Sequence, residues 1–275
     1  MRTFFALIAL SLLLTNCGPA PAEEAAADNT ETTETAPPES PRHHEWVTLN
    51  QNGRELYLWV VYPEVSENVP AVLVIHENRG LNEWAKGFAD QVAEAGFIAV
   101  APDLLSNQNP DYPRTSDYPD TDAARDAIYS LDPEQVTADL QLAAEYAKGL
   151  ASTNGRLVTT GFCWGGSQSF RFATNYDGLS AALVFYGTAP EEAAAFNQIN
   201  APVYGFYGGD DNRVNATIEQ TDTYMGQAGK EYEYVIYPGA GHAFMRRGED
   251  PEGGLGNIKA REEAFARFKE IMDKL

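Results

Sequence analysis

Apolar and polar positions change period repeatedly along residues 46–275, and each change marks an element. Residues 46–49 and 55–62 read as two antiparallel strands joined by a turn at Asn50-Gln51-Asn52-Gly53. Residues 71–76 form a continuous apolar run, the mark of a strand buried on both faces. Trp84, Phe88, Val92 and Ala95 recur at helical spacing, and Gly96 ends that helix. A strand over 97–101 follows, and the longest helix covers 133–151, with Val136, Leu140, Ala143, Ala144 and Ala147 on one face. Further strands are expected at 157–162, 181–186, 202–207 and 232–237, with helical segments between them. A last helix over 258–274 turns Ala264, Phe265 and Phe268 inward. Strands separated by helix-sized segments call for right-handed crossovers. The fold class is therefore α/β, a mainly parallel central sheet flanked by helices on both faces. Residues 104–132 break the pattern: they are polar, rich in Pro and Asp, and are expected as a loop that shapes or covers a binding site.

The amino terminus has a different character. Arg2 precedes an apolar run over 3–14, too short for a membrane span, which needs about 18–20 apolar residues. A secretory signal over 1–16 is the better reading. Its end, Leu14-Thr15-Asn16-Cys17, resembles the lipobox of bacterial lipoproteins, with Asn16 where a smaller residue is usual. That resemblance implies lipidation of Cys17 and a chain exported to the bacterial cell envelope, held at a membrane by its lipid. Residues 17–45, rich in Ala, Pro, Glu and Thr, are expected to be a disordered acidic tether. The domain then occupies 46–275.

Charge narrows the partners. A net charge of −21 repels nucleic acid, so none is expected as a partner. Two cysteines and four histidines provide no metal-ligand spacing, and His43-His44 falls in the tether, so no metal or cofactor is expected.

Ligands of a parallel sheet sit at the carboxyl ends of its strands. Four reactive groups fall there: Glu77, Cys163, the pair Asp210-Asp211, and His242. Cys163 lies in Gly161-Phe162-Cys163-Trp164-Gly165-Gly166, a strand-to-helix turn with more glycine than packing requires. Nucleophile, acid, histidine is the order of the α/β-hydrolase fold. A helix amino terminus and a neighbouring His242 would favour the thiolate, and His242 can then protonate a leaving oxygen. One aspartate of the pair would orient the imidazole. The backbone N–H groups of Trp164 and Asn78 are the natural oxyanion donors. His76 is either a rival histidine or a hydrogen-bonded structural one.

These residues resemble the dienelactone hydrolase family, through Val74-Ile75-His76-Glu77-Asn78-Arg79-Gly80, the Cys163 turn, Gly208-Gly209-Asp210-Asp211 and Gly241-His242-Ala243-Phe244. The resemblance implies an ester or lactone hydrolase of the carboxymethylenebutenolidase type, with a Cys163–Asp211–His242 triad and an acyl-thioester on Cys163. It implies that Glu77 takes the thiol proton when substrate arrives, and that Arg246 and Arg125 hold a substrate carboxylate. Trp164, the acidic insertion and the exported tether depart from the family pattern. The alternative is a hydrolase fold kept as a binding module of the envelope, without turnover. Thiol redox work is disfavoured because no Cys-x-x-Cys occurs.

Overall fold

The computed structural model describes residues 40–275 apart from Asn52. The expected signal, the Cys17 lipid site and most of the tether lie outside the described residues. In chain order the elements are β1 (His44–Gln51), β2 (Arg54–Val61), β3 (Val69–Ile75), α1 (Glu83–Glu94), β4 (Ile98–Asp103), α2 (Thr121–Tyr129) and α3 (Pro133–Gly149). They continue with β5 (Thr153–Phe162), α4 (Trp164–Ala173), β6 (Ala181–Phe185), β7 (Val203–Gly208), α5 (Asn212–Asn215), α6 (Ile218–Gln227), β8 (Tyr232–Tyr237), α7 (Phe244–Arg247) and α8 (Leu255–Met272). The eight strands form one sheet in the order β1-β2-β4-β3-β5-β6-β7-β8. β2 runs antiparallel to both β1 and β4, and the strands from β4 to β8 run parallel.

The apolar runs explain the layering. In β3, Val72 and Val74 face a core formed with Phe88 of α1 and Phe268 of α8. Ala71, Leu73 and Ile75 face the opposite core, with Leu140 of α3, Phe170 of α4 and Met225 of α6. A strand covered on both faces must be apolar at every position, and each fully buried large side chain stabilises by roughly 1.5–3 kcal/mol. Helix starts follow the capping residues. Asn82 accepts from Ala85 N–H at 3.1 Å, and Asp132, ahead of Pro133, accepts from Glu134 N–H at 2.9 Å.

Two expectations need correction. The folded part starts before Trp46, because β1 begins at His44 and the Arg42 side chain pairs with Asp90 of α1. His44 is thus a strand residue with its ring 4.7 Å from that of Trp59. The segment 104–132 is also more than a loop. It carries a 3-10 turn at Thr115–Asp117 and the helix α2, capped by Asp120, with Ala124 and Ile128 packed on Leu105. The buried Asp103 anchors it, accepting from Thr115 N–H at 2.8 Å and from Thr115 Oγ1–H at 2.7 Å. Thr115 Oγ1 in turn accepts from Leu81 N–H at 3.0 Å, which ties the insertion to the turn after β3.

Candidate active site

The turn between β5 and α4 sets Cys163 at φ 55° and ψ −117°, outside the regions an ordinary side chain prefers. Its N–H donates to Phe185 C=O at 3.0 Å, which fixes the turn against β6. The surrounding glycines are there for close backbone approach. A Cβ on Gly161 would lie 2.0 Å from Gly165 O, one on Gly165 2.2 Å from His76 O, and one on Gly166 2.5 Å from Phe185 O. Cys163 is half-buried at the amino terminus of a ten-residue helix, whose dipole favours negative charge there.

His242 and Asp211 reach the same place from β8 and β7. Gly208 lets the two loops meet, since a Cβ there would lie 2.6 Å from the carbonyl oxygens of Ala240 and Gly241. Asp211 is buried and its Oδ2 lies 2.5 Å from His242 Nδ1, whereas Asp210 is exposed. With Nδ1 so engaged, the other ring nitrogen is left to interact with Cys163. Burial alone would lower the pKa of His242, but the hydrogen bonds to Asp211 and Cys163 outweigh it and raise it to about 9. The imidazole is therefore held as a cation at neutral pH.

Glu77 follows β3 and is buried, but it does not stand as the thiol's partner. It accepts from Arg246 Nε at 3.0 Å and from Tyr186 Oη at 3.3 Å. In this arrangement Glu77 is engaged by Arg246 and Tyr186, and the proton transfer that the family resemblance ties to substrate arrival would require it to turn from them. Tyr186 is the site residue that sequence reasoning missed. It lies just past β6 with φ 40°, its side chain is buried, and its ring centroid stands 5.1 Å from that of His242. A tyrosine at the carboxyl end of a buried parallel strand was the available signal.

The remaining candidates divide. Asn78 follows Glu77, and its side-chain amide donates to Tyr129 Oη of α2 at 3.1 Å. Trp164 takes the first position of α4, where a backbone N–H has no partner within the helix. Its ring stacks on His76 with centroids 5.7 Å apart and packs against the small core of α2. Arg125, one turn before Tyr129 on α2, pairs with Asp122 at 2.9 Å and with Asp126 at 3.5 Å. Both of these partners lie on its own helix. His76 is the structural histidine of the two readings. Nδ1 donates to Glu77 C=O at 2.8 Å, Nε2 accepts from Leu104 N–H at 3.3 Å, and burial lowers its pKa to about 4.

A mainly parallel sheet with a thiol, an imidazole and a carboxylate gathered at its carboxyl edge defines an enzyme of the α/β-hydrolase type, acting on carboxylic esters or lactones. The dienelactone hydrolase family model matches residues 58–275, and the chain belongs to that family. A protein of Methylorubrum extorquens named "putative carboxymethylenebutenolidase" is 32% identical over 186 residues, which cover 64% of this chain and 63% of that one. The chain thus spans just under two thirds of that relative. A protein of the same name from Saccharolobus solfataricus is 30% identical over 260 residues, covering 83% of this chain and 98% of the relative. The crystal structure of a "putative dienelactone hydrolase" from Klebsiella pneumoniae superposes with a TM-score of 0.74 at 24% identity, over 85% of this chain and 99% of that one.

Proposed function

We propose that the chain hydrolyses a small ester or lactone through an acyl-thioester on Cys163. The observation that carries this reading is the Asp211–His242 hydrogen bond at 2.5 Å, with the imidazole interacting in turn with Cys163. The Cys163 thiolate attacks the substrate carbonyl carbon, forming a C–S bond while the carbonyl electrons move to oxygen. The N–H groups of Trp164 and Asn78 receive that oxyanion. Collapse breaks the C–O bond, and the His242 imidazolium gives its proton to the leaving oxygen. In a lactone that oxygen stays attached through the ring. Water then attacks the thioester, His242 takes its proton, and the acid leaves as the thiolate is restored. Asp211 holds the imidazole in orientation throughout.

The family resemblance also suggests a substrate carboxylate held by Arg246, through the donors other than the Nε that binds Glu77. Export and a lipid on Cys17 complete the proposal, and a Cys17→Ser protein recovered in the soluble rather than the membrane fraction would support them. For the chemistry, a screen of activated esters and lactones is run on the wild type and on Cys163→Ala. Abolished turnover, together with a wild-type acyl-enzyme mass during a slow substrate's burst, supports the mechanism. Undiminished turnover by Cys163→Ala refutes it.

A further inference from the structure

His76 is buried, sits beside the proposed chemistry and takes no part in it. Its Nδ1–H donates to Glu77 C=O at 2.8 Å. That carbonyl belongs to the same peptide unit as the Asn78 N–H. A trans peptide is planar, so its C=O and N–H point in opposite directions, and holding one aims the other. Nε2 secures the ring from the far side by accepting from Leu104 N–H at 3.3 Å, just beyond β4. The ring face stacks on Trp164, with centroids 5.7 Å apart and planes 13° from parallel. His76 thus bonds to the Glu77–Asn78 peptide and stacks on the side chain of Trp164, the two segments whose neighbourhood would form an oxyanion hole. The two segments are themselves in close contact, as a Cβ on Gly165 would lie 2.2 Å from His76 O.

We infer that His76 is a positioning residue for the oxyanion hole, fixing the Glu77–Asn78 peptide so that the Asn78 N–H points at the developing negative charge. This rests on the thiol-hydrolase reading above. Loss of the Nδ1 donor frees that peptide to rotate, and the donor it carries is then misaimed in the transition state while ground-state binding is little changed.

Two substitutions separate the two nitrogens. His76→Asn keeps a donor near the Nδ1 position, whereas His76→Gln keeps a polar group near Nε2 and loses that donor. Removing an oxyanion donor outright costs about 10²–10³ in kcat, so a misaimed one is expected to cost roughly 10–100-fold. The expectation is that His76→Gln loses this much in kcat with KM within about threefold, and that His76→Asn stays within about threefold of wild type in both. Alkylation of Cys163 by iodoacetamide needs the thiolate but develops no oxyanion, so its rate should be unchanged in both variants. A general disturbance of the site would slow alkylation as well as turnover. The inference is overturned if Gln and Asn variants have equal kcat, or if alkylation falls in step with kcat. Cys163→Ala in the same assay keeps the two ideas apart. Persistent turnover there sinks the thiol mechanism itself, whereas a dead Cys163→Ala beside a fully active His76→Gln sinks only the positioning role.

Discussion

Replacing Gly165 by alanine should damage turnover far more than folding. The new Cβ would lie 2.2 Å from the His76 carbonyl oxygen and 2.5 Å from that of Ile75. Both atoms belong to the backbone at the end of β3, a strand paired on either side by β4 and β5, so no side chain can swing aside. Relief to the 3.0–3.4 Å of a tight real contact requires the first turn of α4 to retreat by about 1 Å. That displacement separates Trp164, on α4, from Asn78, just past β3, and shifts Cys163 relative to His242. A misplacement of about 1 Å costs on the order of 10²-fold in rate, whereas overpacking costs roughly 1–3 kcal/mol of stability. In a domain of this size the latter corresponds to a Tm lowered by about 2–12 °C. Gly87→Ala is the matched control, since a Cβ there meets nothing within 4 Å in the interior of α1. It should leave kcat unchanged and stabilise by about 0.5–1 kcal/mol. Steady-state kinetics on the best ester of the screen and thermal melts of the three proteins decide the matter. A Gly165→Ala enzyme with wild-type kcat and Tm would refute the close-approach argument.

Three other outcomes are expected. The His242 imidazolium, with its pKa raised to about 9, gives a kcat/KM that holds through neutral pH and falls above about pH 9. The His242 contribution to stability is complete below the unfolded value near 6.5 and is lost as pH rises through about 9. Asp211→Asn should move the kinetic fall to lower pH, and an unmoved pH–rate profile would count against the assignment. Arg246→Ala strips this ion-pair partner from the buried Glu77, which keeps its Tyr186 hydrogen bond, and urea unfolding should show a loss of about 3 kcal/mol. Equal stability of the two proteins would show that the pair contributes nothing net. His76 has the opposite sign from His242. Its folded pKa is depressed, so the unfolded chain binds the proton first and stability falls as pH drops from 6.5 to about 4, by roughly 3 kcal/mol in all. His76→Asn should flatten the stability curve across that window.

The strands were legible because a parallel sheet covered on both faces demands apolar side chains at consecutive positions. β3, β6 and β7 meet that demand with little interruption, while β5 meets it only over its buried second half, residues 157–162, where Thr159 and Thr160 intervene. The helices α1, α3 and α8 were legible from their single apolar stripe. α2 was not, because its buried face consists of Ala124 and Ile128 alone, set among aspartates that favour turns. What announces it is its cap, Asp120 accepting from Ala123 N–H, a local signal easily lost in a segment so rich in Asp and Pro. The start of the domain was placed at Trp46 for a similar reason. Ser40 and Arg42 look like tether by composition, and only the position of Asp90 on α1 gives them partners.

The same division between local and distant information runs through the site. Cys163, Asp211 and His242 each sit among glycines, and the glycines are visible because backbone must approach backbone where these loops converge. The charge arrangement around Glu77 leaves no such trace. Arg246 lies 169 residues away in sequence and Tyr186 109, and neither is flanked by a motif that names its partner. The family resemblance read Arg246 as a substrate-binding cation and Glu77 as a proton acceptor, two separate roles. Folding makes them one ion pair. Glu77 occupies the Arg246 Nε, so an anionic substrate would engage Arg246 through its Nη donors, whereas Glu77 can turn to the thiol only by giving up Arg246 and Tyr186. An uncharged ester does not engage Arg246 in this way. A comparison of kcat/KM between a carboxylate-bearing lactone and its methyl ester therefore reads out whether Arg246 receives the substrate's charge. A preference for the anion that vanishes in Arg246→Ala would show that it does, and equal rates would show that it does not.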